Sequence, residues 1–445
     1  MKQNKKIGYH QYLFNTIISI FLVILIVPSS SAQAVSIKEP KLCKEQRDDG
    51  LILVIKDQGK NQPAIQHLTM ILRTGSAHDP VGKSGLTNLT NEIIYYLLRN
   101  TCALQVDYQI YANYSQFHFI VARNEFNLFC DQLDQIIRAD ALLCYDICNE
   151  LSNYHLNLPK TPELIGLSQL YSLVYGPEHP YNYSFAPNYD RLNINEVNKW
   201  FRRIYRPNNL IIAAGIKPPE DFLRRPAGRD LKEAVALDNI PAPAGNVTPE
   251  LRWMPVRDNI ATVCLGFETS QFGTEGLLVT VLLQKYLEQK IWKIIREDQG
   301  LSYDPEVFYQ LTGTSNAPML LVMVHTLAEN TGTVINLILT QFKEIAASGI
   351  PEEDLNHLIE QERKRWRLME NEPESSINAA ALYGLLGHDW LVNQKNYFTI
   401  LTAETEIIPQ IMSAGLTRLK ISVTGPKETG DYLNEVTSEM ELINE

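Results

Sequence analysis

Positive charge is in short supply. The chain has 51 Asp and Glu against 40 Lys and Arg, a formal net charge of −11 at pH 7. Three of those lysines (Lys2, Lys5 and Lys6) lie in residues 1–34, which hold no acidic residue, so the remainder carries −14. A surface this acidic argues against nucleic acid and anionic membranes as partners. Cysteine is also sparse: Cys43, Cys102, Cys130, Cys144, Cys148 and Cys264 show no disulfide framework. Cys144 and Cys148 are spaced as half of a zinc site, but no second pair accompanies them, and all six read as buried free thiols. His67, His78, His118, His155, His179, His325, His357 and His388 include no pair at i, i+3 or i+4, so the histidines are expected to offer no metal site. Phosphate-binding glycine loops and nucleophile elbows are missing too, which leaves serine chemistry without support. After Val27 no run is apolar enough to span a bilayer.

What is present begins with a leader. Three lysines, an apolar run from Leu13 to Val27 and the step Ala32-Gln33-Ala34 have the order of a secretory signal cleaved after Ala34. An uncleaved anchor is the alternative, which the Ala-Gln-Ala step disfavours. The chain is thus expected to be exported, to the periplasm in a bacterium, and to be free of the membrane once the signal is removed. About 410 residues with a hydrophobic content of 45% exceed one core and imply two domains.

The break falls at residues 241–250, PAPAGNVTPE, which are rich in Pro, Gly and small side chains. Domains are expected at 35–240 and 251–445. In the first, residues 51–57, 64–76, 106–113, 115–122 and 209–215 read as strands, and 126–139, 161–175 and 194–205 as helices. In the second, 261–269, 301–310, 318–326 and 418–425 read as strands, and 277–296, 331–348, 352–369 and 374–385 as helices. The ends of the halves correspond: NLIIAAGIKPPEDF and RLKISVTGPKETGDYL are each a strand, a turn and a helix start. This is an internal duplication of an α/β unit.

One helix carries the question of chemistry. KSGLTNLTNEIIYYLL (residues 83–98) has an apolar stripe of Leu86, Leu89, Ile93, Tyr96 and Leu97, with Asn88, Asn91 and Glu92 at i, i+3 and i+4. With His, Glu and His there, the motif would be H-x-x-E-H, two zinc ligands and a general base. Asn88 and Asn91 supply amides, which are poor zinc ligands, and no base stands between. The tripeptides at Asn88, Asn113, Asn182 and Asn246 also fit glycan acceptors, although a glycan on Asn88 would obstruct this helix.

The surrounding stretch, RTGSAHDPVGKSGLTNLTNEIIYYLL, resembles the zinc-motif region of the pitrilysin/insulinase family of zinc peptidases, the inverted zincins. Gly75-Ser76, Pro80, Gly82 and Gly85-Leu86 match, whereas the three chemical positions do not. HPYNYSFAPNYDRLNINEVNKWFRRIYRPNNLIIAAGIKPPEDF (residues 179–222) resembles a second family segment, and YANYSQ (residues 111–116) its substrate-edge strand. By resemblance, Glu150 stands at the third zinc-ligand position. In the second half REDQGLSYDPEVFY resembles the family's Arg/Tyr pair, with Arg296 and Tyr303 seven apart. In the family the pair contacts substrate and the developing oxyanion opposite the zinc, and the resemblance implies that role for Arg296 and Tyr303. Without that context, Arg296 reads as a helix C-terminal cap and Tyr303 as an ordinary strand aromatic.

The resemblance implies an α+β fold of two homologous α/β sandwich domains, each a mostly antiparallel sheet packed with helices. It also implies a non-catalytic chain that binds no cofactor itself and pairs with a zinc-bearing homologous subunit, or self-associates, around an extended peptide substrate. That peptide would add to a sheet edge near Tyr111–Ser115. A purely structural or peptide-binding protein of the same fold is the alternative. An active zinc peptidase with displaced ligands is a third reading.

Overall fold

The computed structural model describes residues 42–56, 63–185, 187–224, 240–241, 248–310, 317–388 and 406–433, with single positions at 391, 396, 397, 399 and 436. The expected leader and residues 242–247 of the expected linker lie outside them. In the first half β1 (Leu42–Gln46), β2 (Ile52–Lys56), β3 (Ile65–Leu72), β4 (Gln105–Ile110), β5 (Ser115–Ala122) and β6 (Leu210–Ala214) form one sheet in the order β1-β2-β6-β3-β5-β4. β6 runs parallel to β2, and the other neighbours are antiparallel. In the second half β7 (Glu250–Pro255), β8 (Ala261–Glu268), β9 (Glu306–Gln310), β10 (Met319–Thr326) and β11 (Lys420–Gly425) take the order β7-β11-β8-β10-β9. Here the parallel pair is β11 with β7. Apart from β1, the two sheets agree in order and in sense at every step, as an internal duplication requires.

Alternation along the strands gives each sheet two apolar faces. On the first sheet Leu68, Met70, Leu72, Phe117, Phe119, Leu210 and Ile212 share one core with α1 (Leu86–Leu98), α2 (Phe126–Ile137) and, after α3 (Tyr145–Leu156) and α4 (Pro162–Tyr175), with α5 (Ile194–Ile204). On the second sheet Val263, Leu265, Phe267, Leu320, Val322 and Ile421 pack with α6 (Gly273–Ile291), α7 (Thr331–Ser348) and, beyond α8 (Glu352–Asn371) and α9 (Pro373–Leu386), with α10 (Ile407–Arg418).

The opposite faces are covered by exchange. α4, from the first half, lies on β8 and β11, where Leu167, Leu170 and Tyr171 meet Cys264, Met319 and Leu321. α9, from the second half, lies on β2, β3 and β6, where Ile377, Ala380 and Ala381 meet Ile52, Val54, Ile71 and Ile211. Both helices have proline at the first position and stop at a glycine of positive φ, Gly176 and Gly387. A buried polar tie accompanies each: Ser422 Oγ donates to Gln169 Oε1 (2.7 Å), and Thr69 Oγ1 donates to Asn378 Oδ1 (2.7 Å).

Five elements depart from the sequence expectation. β1 is a short, largely polar outer strand, β7 is a short outer strand that begins at the last residue of the expected linker and turns Leu251 and Trp253 to the core, and α10 lies in a stretch where no helix was expected. The expected strand at 301–310 forms only from Glu306, because Pro305 has no N–H to give a ladder. The expected helix at 277–296 starts earlier and gives way to a π-helical turn at Trp292–Asp298.

α1 is placed by an aspartate outside it. Both carboxylate oxygens of buried Asp79 are engaged, one by the Gly85 N–H (2.7 Å) and the other by the Thr87 N–H (2.8 Å) and Thr87 hydroxyl (2.5 Å). Trp200 Nε1 then donates to Thr87 Oγ1 (3.0 Å), locking α1 to α5. These bonds favour the carboxylate, but burial outweighs them and pushes the Asp79 pKa up to about 7.

Two outcomes are expected. A Cβ on Gly384 would stand 2.6 Å from Ile211 Cγ2 and 3.0 Å from Val54 Cγ2. Gly384→Val should therefore lower unfolding free energy by about 1–3 kcal/mol, read as a drop in urea midpoint; an unchanged midpoint would mean that α9 does not sit this close. For Asp79 the native pKa lies above the unfolded one, so the native state binds more protons between about pH 4 and pH 7. Its contribution to stability is thus greatest at acid pH, falls as pH rises through that window by up to about 4 kcal/mol, and is level above it. Asp79→Asn should cost most near pH 4 and progressively less towards pH 8; a cost independent of pH would contradict the raised pKa.

Candidate functional site

The polar triad of α1 faces side chains that occupy it. Asn88 Nδ2 donates to the Tyr189 hydroxyl (2.7 Å), and the Tyr205 hydroxyl donates to Asn91 Oδ1 (2.8 Å). Glu92 Oε2 is 2.6 Å from His155 Nε2, and both side chains are buried. The His155 ring stacks on Tyr189 with centroids 4.4 Å apart and planes at 12°, which closes the knot. Glu150, at the implied third-ligand position, is exposed on α3; the residue of that helix that meets Glu92 is His155, five positions later. One imidazole, one carboxylate and two engaged amides do not fit a zinc ion. Among the described residues, no group of three ligating side chains forms at α1.

Three other expectations meet the structure here. Tyr111–Ser115 offers no free edge. Ser76 and Ala77 N–H groups donate to Tyr111 and Ala112 carbonyls (3.0 and 2.9 Å), and Ser115 pairs with Leu72 on one side and Ile110 on the other. Gly75 permits that approach, since a Cβ there would fall 2.1 Å from the Tyr111 oxygen. The edge strand is β4 instead. Of the glycan tripeptides, Asn113 and Asn182 are buried and Asn88 is engaged; Asn246 lies outside the described residues. All six cysteines are free thiols, but only Cys130, Cys148 and Cys264 are buried, while Cys43 on β1 is exposed.

Arg296 and Tyr303 come together. The π-helical turn carries Trp292 and Arg296, and the Leu301 N–H bonds back to the Ile295 carbonyl (2.8 Å), which folds the following segment over the turn. The guanidinium sits 4.2 Å from the ring centroid of Trp292 and 4.2 Å from that of Tyr303. Each such contact is worth about 0.5–1 kcal/mol at an exposed site. Tyr303 is 78% exposed and Trp292 37%. Arg296 makes no hydrogen bond or ion pair among the described residues, so it does not cap the helix as the simpler reading had it. Sequence reasoning missed Trp292; its position one helical turn before Arg296 was the available signal.

A third cluster lies on the face of the first sheet that α9 covers. His67 of β3, His118 of β5 and Glu374 of α9 each offer a ligand atom, and these atoms all lie within 4.8 Å of one another. The histidines, read from helical spacing as offering no metal site, do bring potential ligand atoms together here. A search at helical spacing cannot find a pair made by neighbouring strands, where the Cα partner of His118 is Thr69 and His67 sits diagonally on the same face. Burial lowers both imidazole pKa values, that of His118 to about 4.

Residues 191–362, which include Arg296 and Tyr303, match the family model described as the Peptidase M16 inactive domain. No curated protein matches the chain by sequence. Among solved structures, a peptidase M16 inactive domain from Pseudomonas fluorescens superposes with a TM-score of 0.71 at 14% identity, covering 87% of this chain and 98% of that one. A protease from Helicobacter pylori gives 0.70 at 12% identity, covering 87% and 100%. The periplasmic protease PqqL from Escherichia coli gives 0.66 at 12% identity, covering 92% of this chain but 49% of that one. At such identities the superpositions carry the fold, and the domain match within it carries the kinship. Within that fold, residues 191–362 are similar to the inactive domain of the M16 peptidases, in line with the resemblance of the sequence to the pitrilysin/insulinase family.

Proposed function

We propose that this chain is an exported, non-catalytic subunit of a two-chain M16 peptidase. A homologous chain bearing H-x-x-E-H supplies the zinc, and Arg296 and Tyr303 contribute to the shared site. The observation that carries this reading is the guanidinium held between two rings beside an exposed Tyr303, on a chain whose own zinc helix is filled by Tyr189, Tyr205 and His155. The two rings hold the guanidinium in place, and among the described residues no acceptor meets its N–H groups. Guanidinium and phenol both donate hydrogen bonds to a carbonyl oxygen, and more strongly to the oxyanion that forms from it. The span of this chain over about half of PqqL is consistent with an assembly that needs a second unit of similar size. Export rests on the pattern of residues 1–34, and the periplasmic neighbour agrees with it.

The native protein, captured by an affinity tag, should bring down an H-x-x-E-H chain, and the pair should cleave extended peptides that this chain alone does not. Arg296→Ala should lower kcat of the pair about 100- to 1000-fold, the usual effect of losing one oxyanion donor, without loss of assembly. Equal cleavage with Arg296→Ala would overturn the shared site. Absence of any peptidase partner would favour a structural or peptide-binding role.

A further inference from the structure

We propose that His67, His118 and Glu374 form a zinc-type metal site that ties the first sheet to α9 of the second half. His67 Nδ1 lies 3.1 Å from His118 Nε2, and Glu374 Oε1 lies 3.9 Å from the same nitrogen. Tetrahedral zinc, with bonds of about 2.0–2.1 Å, holds its donor atoms about 3.3 Å apart. The observed separations bracket that figure, so small side-chain rotations would complete the set.

The surroundings orient the ligands. Thr69 Oγ1 and Gln116 Nε2 both donate to Asn378 Oδ1 (2.7 and 3.0 Å), which fixes the amide and uses the threonine proton. The threonine oxygen can then only accept from His118 Nδ1, 3.1 Å away, so the proton is on Nδ1 and the Nε2 lone pair faces His67 and Glu374. A hydrogen-bonded second nitrogen of this kind is the usual support of a metal-bound histidine. Both rings are held neutral by burial, the form that ligates. Asp107, the Cα partner of His118 on β4, and Glu372, just ahead of α9, add negative potential around the group. The Glu374 side chain is 42% exposed, which gives the ion an entry and leaves a fourth position for water. Two imidazoles and one carboxylate select zinc and its transition-metal neighbours over magnesium or calcium.

The site lies across the sheet from α1, so it is not a displaced version of the zinc motif, and it is independent of the subunit proposal. The competing arrangement is a metal-free His67 Nδ1–H donating to His118 Nε2. Cobalt(II) titrated into the EDTA-stripped full chain should bind one ion per chain, with visible d–d bands and no near-ultraviolet thiolate charge transfer. That signature separates the site from the free cysteines. Zinc should raise Tm, because only the folded chain assembles the ligands. His67→Ala/Glu374→Ala changes two partly exposed side chains and should abolish both effects, and Thr69→Val should weaken binding about 10- to 100-fold. Cys144→Ser/Cys148→Ser should leave both intact. The proposal is overturned if no ion binds at micromolar concentration, if thiolate charge transfer dominates, or if the His67/Glu374 variant binds as well as the parent.

Discussion

The structure depends on the exchange of α4 and α9. β6 is buried at every position, with Leu210 and Ile212 turned to one core and Ile211 and Ala213 to the other. β8 and β10 are built in the same way, so each sheet has a second apolar face that its own half leaves uncovered. At about 1.5–3 kcal/mol for each large side chain, leaving either face open to water would cost more than a domain's usual net stability. Each half is therefore completed by a helix of the other. The duplication explains why this works, since a helix in equivalent surroundings fits both sheets.

The exchange also decides where polar groups can go. On the first sheet β3 and β5 turn His67, Thr69, Gln116 and His118 to the same side as Ile71. An apolar helix on that strip would leave these groups unsatisfied, at about 1–3 kcal/mol each. α9 answers with Glu374 and Asn378 in its first two turns, while Ile377, Ala380 and Ala381 cover the apolar strip over β2 and β6. On the second sheet Ser422 and Thr424 play the equivalent part, met by Gln169 and the Pro162 carbonyl. Polarity along these helices is set by the partner sheet more than by solvent.

This accounts for what could be read in advance. The inner strands and most helices were legible because alternation and 3.6-residue periodicity are local properties, and β5 and α7 were placed to the residue. The α1 stretch was legible as a zinc-peptidase helix in packing, through Gly75, Gly85 and the apolar stripe. The partners of its polar residues were not. His155 meets Glu92 because stacking on Tyr189 holds its ring, and nothing at positions 150 to 155 distinguishes it from Glu150 in sequence. His67, His118 and Glu374 become neighbours only after two strands pair and a helix from the other half arrives. Trp292 stands at ordinary helical spacing from Arg296, but its ring had no stated role until the guanidinium was seen against it.

The two ends of the implied chemistry have met different fates for one physical reason. A zinc helix without ligands would leave a polar cavity inside the first core. Here aromatic and imidazole groups fill the space: Tyr189, Tyr205 and His155 bond Asn88, Asn91 Oδ1 and Glu92, while Asn91 Nδ2 and His155 Nδ1 stay buried without a hydrogen-bond partner among the described residues. Once filled this way, α1 is held by packing, by Asp79 and by Trp200, and none of these requires a metal. The Arg296 turn has undergone no such collapse. Its guanidinium is stacked but unbonded among the described residues, and its covering tyrosine is mostly in water. A π-helical turn carries a registry cost that an ordinary surface helix avoids, and such turns concentrate at functional sites. The chain thus combines a buried site whose one imidazole, one carboxylate and two amides do not make up a zinc set with an exposed one whose guanidinium meets no acceptor among the described residues.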